Sequence, residues 1–395
     1  MIQRLAVLMR ISDVFRVHPV AALLGPRQCG KTTLARMMAE QEPCTYFDLE
    51  DPVDVRRLSA PMTALEGLTG LVVIDEVQRR PELFELLRVL ADRPGNTARF
   101  LILGSASPYL IKGVSESLAG RLGFIDLSGF DLQEVGKEHR EHLWLRGGFP
   151  RSFLADDDST SMLWRVSFIR TFLERDIPQF GISIPAETLR RFWTMAAHYH
   201  GQVWNAAQFA RSLGTSENTA LRYLDILSGA YMIRILPPWF ENTRKRQVKA
   251  PKIYIRDSGI LHALLQMSTL DDLHAHPKLG ASWEGFALEQ VITALDSRDT
   301  YFWATHAGAE LDLLVMASGK RYGVEFKYAD APGVTRSMHV AIEDLALERL
   351  WVIYPGRREY PLSDKISVIP IESVPDMARE LLKTECVSLL ENQAH

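Results

Sequence analysis

Nine consecutive residues, Gly25-Pro26-Arg27-Gln28-Cys29-Gly30-Lys31-Thr32-Thr33, have the spacing G-x-x-x-x-G-K-[ST]. The apolar run Val20 to Leu24 precedes them and the helical pattern Leu34 to Glu40 follows, the context this loop needs to act on phosphate. Where glycine removes the Cβ, backbone N–H groups can turn inward around a β-phosphate, and the helix N-terminus adds its positive dipole end. In that geometry Lys31 reaches the β- and γ-phosphates and Thr32 ligates Mg²⁺, so the chemistry expected is that of Mg-ATP. A second run, Leu71-Val72-Val73-Ile74-Asp75-Glu76, is an apolar strand ending in two carboxylates. Asp75 is suited to hold the Mg²⁺ and Glu76 to orient and polarise the attacking water. Cys29 lies inside the loop, where its oxidation would be expected to block nucleotide.

A third carboxylate set lies near the C-terminus. Glu310 to Val315 and Tyr322 to Lys327 read as strands around Ser318-Gly319, a two-residue hairpin signal. With that turn, residues whose numbers sum to 637 are opposite. Asp312 then faces Glu325 and Glu310 faces Lys327, all on one side, because strand side chains alternate with period 2. Opposed carboxylates repel unless a cation lies between them, and two readings stay open: a metal, or Lys327 alone as the neutralising charge.

These groups must be positioned by more than one folding unit. At roughly 100 to 200 residues per domain, 395 residues predict two to four domains. Up to about residue 140, short apolar runs at Val20–Leu24, Thr45–Leu49, Leu71–Asp75, Phe100–Leu103 and Phe124–Leu127 alternate with helical segments, the pattern of a parallel sheet covered by helices. Helical spacing of Met162, Val166, Ile169 and Leu173 follows, then several short helices over 186–236. In that stretch Trp204–Leu213, a turn at Gly214-Thr215-Ser216 and Glu217–Ser228 read as helix, turn, helix, capped by Thr215 or Ser216. From Pro251 onward come a strand at Lys252–Ile255, a helix over 281–295 and further strands.

With 47% hydrophobic and 24% charged residues, disorder and collagen-like repetition are excluded. No apolar run approaches the roughly 18 residues of a membrane span. Arg4 and Arg10 interrupt the N-terminal apolar stretch, which argues against a secretory signal. Cys29, Cys44 and Cys386 form no disulfide or zinc pattern, so a cytoplasmic protein is expected. A net charge of −4 gives no global pull toward nucleic acid. Locally, Arg244, Lys245, Arg246, Lys249, Lys252 and Arg256 face only Glu241, an excess of +5 over residues 241–256. That patch reads either as a contact for DNA phosphates or as a solvated loop on a protein-docking module.

Taken together, GPRQCGKTTLA, LVVIDEVQ, GGFP at 147–150, FLERDIPQF at 172–180, PKIYIRDSGILHALL at 251–265, WEGFALE at 283–289 and ELDLLV followed by GVEFKY resemble the prokaryotic AAA-type ATPases that carry a C-terminal domain of unknown function, number 4143. The resemblance implies an α/β fold with a P-loop ATPase core over 1–140, a helical lid or linker over 141–185, a winged-helix-like module over 186–250 and a restriction-endonuclease-like domain over 251–395. In AAA-type ATPases a polar residue after the fourth strand senses the γ-phosphate. Ser105, in Gly104-Ser105-Ala106-Ser107, is the candidate here. Arg121, in Ser117-Leu118-Ala119-Gly120-Arg121, reads either as an arginine finger, acting within the chain or on a neighbour's nucleotide in a ring, or as a helix-end arginine.

The C-terminal pattern D-x12-E-x-K resembles the PD-(D/E)xK nuclease signature. By that resemblance Glu284, Asp312 and Glu325 would bind Mg²⁺, with Lys327 beside them. Three functions are therefore expected to compete: a DNA-associated ATPase or ring-forming motor, an ATP-gated signalling or scaffolding switch without nucleic acid, and an ATP-controlled metal-dependent nuclease.

Overall fold

The computed structural model describes residues 2–106, 118–241, 245–296 and 299–382. Ser107, Ser117, Arg244 and Cys386 lie outside the described residues. The chain forms two compact units, one of residues 1–130, 149–151 and 225–232, the other of 131–148, 152–224 and 233–395.

The first unit is built on a five-stranded parallel sheet of β1 (Val20–Leu24), β2 (Cys44–Asp48), β3 (Gly70–Asp75), β4 (Ala98–Gly104) and β5 (Leu122–Asp126). Their order across the sheet is β2-β3-β4-β1-β5. All five residues of β1 are buried, and so are all but the first of β3 and the second of β4. This is the continuous apolar signature of strands covered on both faces, and it is why these runs were visible in the sequence. Helix α1 (Leu5–Val17) precedes β1 and helix α2 (Lys31–Ala39) follows it. The next element after β1 is thus the phosphate-loop sequence, at the C-terminal end of the sheet. In open α/β sheets that end is where ligands bind.

The second unit holds a helical part and two sheets. Asp157 caps the helix Asp158–Thr171 by accepting from Thr160 N at 2.7 Å, so the acidic loop of the sequence is a helix start. That helix runs on into a single π-helical stretch, Phe172–Asp176, within the FLERDIPQF run. Three strands, β6 (Gln202–Val203), β7 (Ile233–Leu236) and β8 (Lys252–Ile255), form an antiparallel sheet with β8 in the middle. Helices Ala206–Leu213 and Glu217–Gly229 are joined by Gly214 in left-handed conformation (φ 67°). Ser216 provides the second cap, accepting from Thr219 N at 3.2 Å.

The second sheet has six strands in the order β13-β14-β12-β11-β10-β9, with β9 (Thr300–Ala304), β10 (Glu310–Ala317), β11 (Lys320–Phe326), β12 (Arg349–Tyr354), β13 (Tyr360–Pro361) and β14 (Ile366–Pro370). The helix Leu279–Leu295 precedes it, and the helix Arg336–Asp344 connects the parallel pair β11 and β12. Ser318 (φ 52°) and Gly319 (φ 72°) make the tight β10–β11 turn. Leu313 pairs with Val324 and Ala317 with Lys320, so the register is the one the turn residues dictate. A bulge does occur in β10, but on its other side, against β9 between Leu311 and Leu314.

Candidate functional site

Two polar centres merit description, one in each unit. The first lies beyond β1 and β3. A Cβ on Gly25 would fall 2.1 Å from Leu127 O, so only glycine lets β1 turn beneath the segment leaving β5. Gly30, at φ 102°, caps α2 in a conformation that favours glycine. The loop between them wraps the Lys31 side chain, which is 5% exposed and donates to Gly25 O at 2.9 Å and Pro26 O at 2.8 Å. Next along the helix, Thr32 Oγ1 donates to Asp75 Oδ2 at 2.8 Å. A hydroxyl and a carboxylate, both hard oxygen donors, thus converge beside the lysine. This donor set fits Mg²⁺, which takes one or two protein oxygens together with phosphates.

Glu76 follows with φ 57°, a strained backbone for a side chain of this kind. Its carboxylate is held by Ser105 Oγ at 3.0 Å and by the Gln78 amide, with Arg27 at 3.9 Å. The sequence-selected residues Lys31, Thr32, Asp75, Glu76 and Ser105 are therefore neighbours. Arg27 turns its guanidinium to Glu50 at 2.8 Å. Pro26, Gln28 and Thr33 complete the loop and the first turn of the helix. Cys29 is fully buried.

Arg121 is placed elsewhere. Leu122 is opposite Val20, at the start of β1, whereas the phosphate loop follows the end of that strand. Its guanidinium pairs with Asp92 at the same edge. An arginine finger acting on the nucleotide of its own chain is excluded by that placement, because the two lie at opposite ends of a five-residue strand.

Two contributors have no mark in the sequence. Tyr46 on β2 donates its hydroxyl to Asp75 Oδ2 at 2.7 Å. Burial and then the Asp75 charge push its phenol above the usual range, so it stays a donor. Arg4, 5% exposed, donates to Cys29 O at 3.3 Å and to Ser128 O and Gly129 O at 3.0 Å each, tying the loop to the segment after β5.

The second centre is the C-terminal carboxylate set. Asp312 and Glu325 come together as the hairpin register requires, both buried. Lys327 Nζ is 2.8 Å from Glu325 Oε2 and 3.7 Å from Asp312 Oδ2. Glu310, however, pairs with Lys252 instead of Lys327. Lys252 also lies 3.3 Å from Glu284 Oε1 and 3.8 Å from Asp312 Oδ1. Burial works against its charge, but Tyr254 and the surrounding carboxylates outweigh burial and hold it protonated. Burial, with Asp312 adding to it, drives the Glu325 carboxyl well above its usual range.

Among the described residues no group of three or more His, Cys, Asp or Glu is arranged to hold a metal. Two ammonium groups, of Lys252 and Lys327, stand among the carboxylates of the expected metal set Glu284, Asp312 and Glu325. The signal for Lys252 was present in the alternation Lys252-Ile253-Tyr254-Ile255, which puts two polar side chains on one face of a buried strand.

The same contacts break up the expected basic patch. Lys252 is 3% exposed, Arg256 is 3.3 Å from Glu289, and Lys245 lies 2.6 Å from Asp344. Among the described bases of the run, Arg246 and Lys249 are exposed.

Three family models match successive stretches of the chain. An AAA domain matches residues 17–136, a domain of unknown function (DUF8612) matches 137–271, and a domain of unknown function (DUF4143) matches 279–374. The uncharacterised proteins Rv2008c of Mycobacterium tuberculosis and Mb2031c of Mycobacterium bovis are each 51% identical over 374 residues, covering 95% of this chain and 85% of theirs. Among solved structures, the Walker-type ATPase PABY2304 of Pyrococcus abyssi is 15% identical with a TM-score of 0.47, covering 67% of this chain and 96% of that one. A signal-transduction ATPase with a tetratricopeptide-repeat sensor, PH0952 of Pyrococcus horikoshii, is 12% identical with a TM-score of 0.24, covering 74% and 45%. Among the described residues no helix is long and apolar enough to cross a membrane.

Proposed function

The chain belongs to the family of AAA-domain ATPases with a C-terminal domain of unknown function 4143, and from that premise we propose that it hydrolyses Mg-ATP at the loop 25–33 and uses the cycle to move its C-terminal unit. The observation that carries this reading is the 2.8 Å contact of Thr32 Oγ1 with Asp75 Oδ2 beside the buried Lys31. Backbone N–H groups of residues 26–30 cradle the phosphates, and Lys31 exchanges its two loop carbonyls for phosphate oxygens. Thr32 and Asp75 hold Mg²⁺, which neutralises charge on the phosphates when bound. Glu76 accepts the proton of the attacking water, while Ser105 and Gln78 fix its carboxylate in place.

Replacing Lys31 by Ala removes both nucleotide binding and turnover. Replacing Glu76 by Gln leaves binding within about threefold and lowers turnover by about 10²- to 10⁴-fold, the usual worth of a positioned general base. Turnover unchanged by both substitutions refutes the assignment.

The partner proposed is DNA. The helix–turn–helix 206–229, the winged-helix-like order of helices and strands around it, and exposed Arg246 and Lys249 support this reading. A panel of DNA structures tests it: stimulated turnover that falls when Arg246 and Lys249 become Glu supports DNA, and turnover indifferent to DNA favours a switch that docks protein. Arg121 serves only a neighbouring subunit, so an effect of Arg121→Ala on turnover requires assembly. Sizing the protein with and without ATP reads that directly.

A further inference from the structure

The carboxylates Glu284, Glu310, Asp312 and Glu325 gather on the helix Leu279–Leu295 and the β10–β11 hairpin, yet one of the two cations among them, Lys252, comes from another sheet. Lys252 is on β8, the central strand of the three-stranded sheet, and is 3% exposed. Its ammonium pairs with Glu310 and lies 3.3 Å from Glu284 and 3.8 Å from Asp312. Tyr254, on the same face of β8, donates to Glu284 Oε1 at 2.7 Å. Asp312 is committed on both oxygens: Oδ1 toward Lys252, Oδ2 accepting from Phe326 N at 3.0 Å and lying 3.7 Å from Lys327. Glu325 is taken by Lys327 at 2.8 Å. These spacings suit an ammonium, whereas Mg²⁺ draws oxygens to about 2.1 Å.

We propose that Lys252 is the resident cation of this centre, standing where nucleases of the PD-(D/E)xK pattern hold a metal, so that the carboxylates fasten β8 to the six-stranded sheet and bind no divalent ion. An ammonium and a carboxylate buried together are costly to separate, because removing one partner leaves the other as an unpaired buried charge. The lysine thus makes the centre a fastening of two sheets and closes it to phosphodiester cleavage.

The test uses the full chain, free of nucleotide, titrated with Mn²⁺ while the electron paramagnetic resonance signal of free Mn²⁺ is followed. Wild type and Asp312→Asn are expected to give the same isotherm, since Asn keeps the acceptor for Phe326 N–H and no Mn²⁺ binds at Asp312. An Mn²⁺ site in wild type that Asp312→Asn removes overturns the proposal, whatever other variants do. Lys252→Ala, checked for native circular dichroism, is expected to gain an Mn²⁺ site at least tenfold tighter than any in wild type, and the double variant with Asp312→Asn to lose it. A folded Lys252→Ala with the wild-type isotherm also overturns it, because the lysine would then not occupy a cation position.

Discussion

Replacing Arg4 by Ala should weaken ATP binding from a residue that never approaches the phosphates. Its guanidinium holds Ser128 O and Gly129 O at 3.0 Å and Cys29 O at 3.3 Å. A hydrogen bond from a charged group is worth about 1.5–3 kcal/mol net, so the two shorter bonds set a stability loss of about 3 kcal/mol once water has partly replaced them. The longer bond to Cys29 O is the tie to the phosphate loop in this set. At about 1 kcal/mol, its loss converts to a roughly fivefold rise in Kd for ATP. Equilibrium unfolding in urea and titration with a fluorescent ATP analogue read the two effects separately. Arg4→Lys should lie between, because a single ammonium cannot span three diverging carbonyls. A Kd unchanged in a variant destabilised by 3 kcal/mol would refute the bracing of the loop, and unchanged stability would refute the worth of the bonds themselves.

Two further outcomes follow from the geometry. Gly25→Ala places a methyl 2.1 Å from Leu127 O, so the chain after β5 must shift; a loss of about 2–3 kcal/mol in thermal or urea unfolding, together with loss of ATP binding, is expected. His200 and His262 are buried, and burial lowers both to about 3, against 6.5 in an unfolded chain. Each stays neutral in the fold while the unfolded chain takes up a proton as pH falls below 6.5, so stability is complete above that value and declines toward pH 3. The pair should cost about 4 kcal/mol between pH 7 and pH 5, measured as a drop in the urea midpoint; a midpoint constant over that interval would contradict it.

What the sequence discloses depends on whether a residue's partner is near it in the chain or implied by a repeating geometry. The strands β1 to β5 are legible because each is a short apolar run between breakers, and the opposition of Asp312 and Glu325 is legible because Ser318-Gly319 fixes one register. Arg4 and Tyr46 are not, since their partners lie 25 to 125 and 29 positions away and neither residue type has a pattern to betray it. Within the basic run, closeness in sequence does not make every base share a surface, because β8 carries Lys252 into the interior. Arg121 could have been placed better: a residue just before a parallel strand belongs to the edge opposite the loops that follow the strands.

The nucleotide-binding unit is discontinuous, since residues 149–151 and 225–232 return to it long after its sheet is complete. Tyr231 OH donates to Asp126 Oδ1 at 2.9 Å, so the last strand of that sheet waits for a residue more than a hundred positions downstream. An expression fragment cut after the AAA domain, which ends at residue 136, would lack Tyr231 and with it the hydrogen bond to Asp126. The boundary drawn by homology is therefore a poor place for scissors.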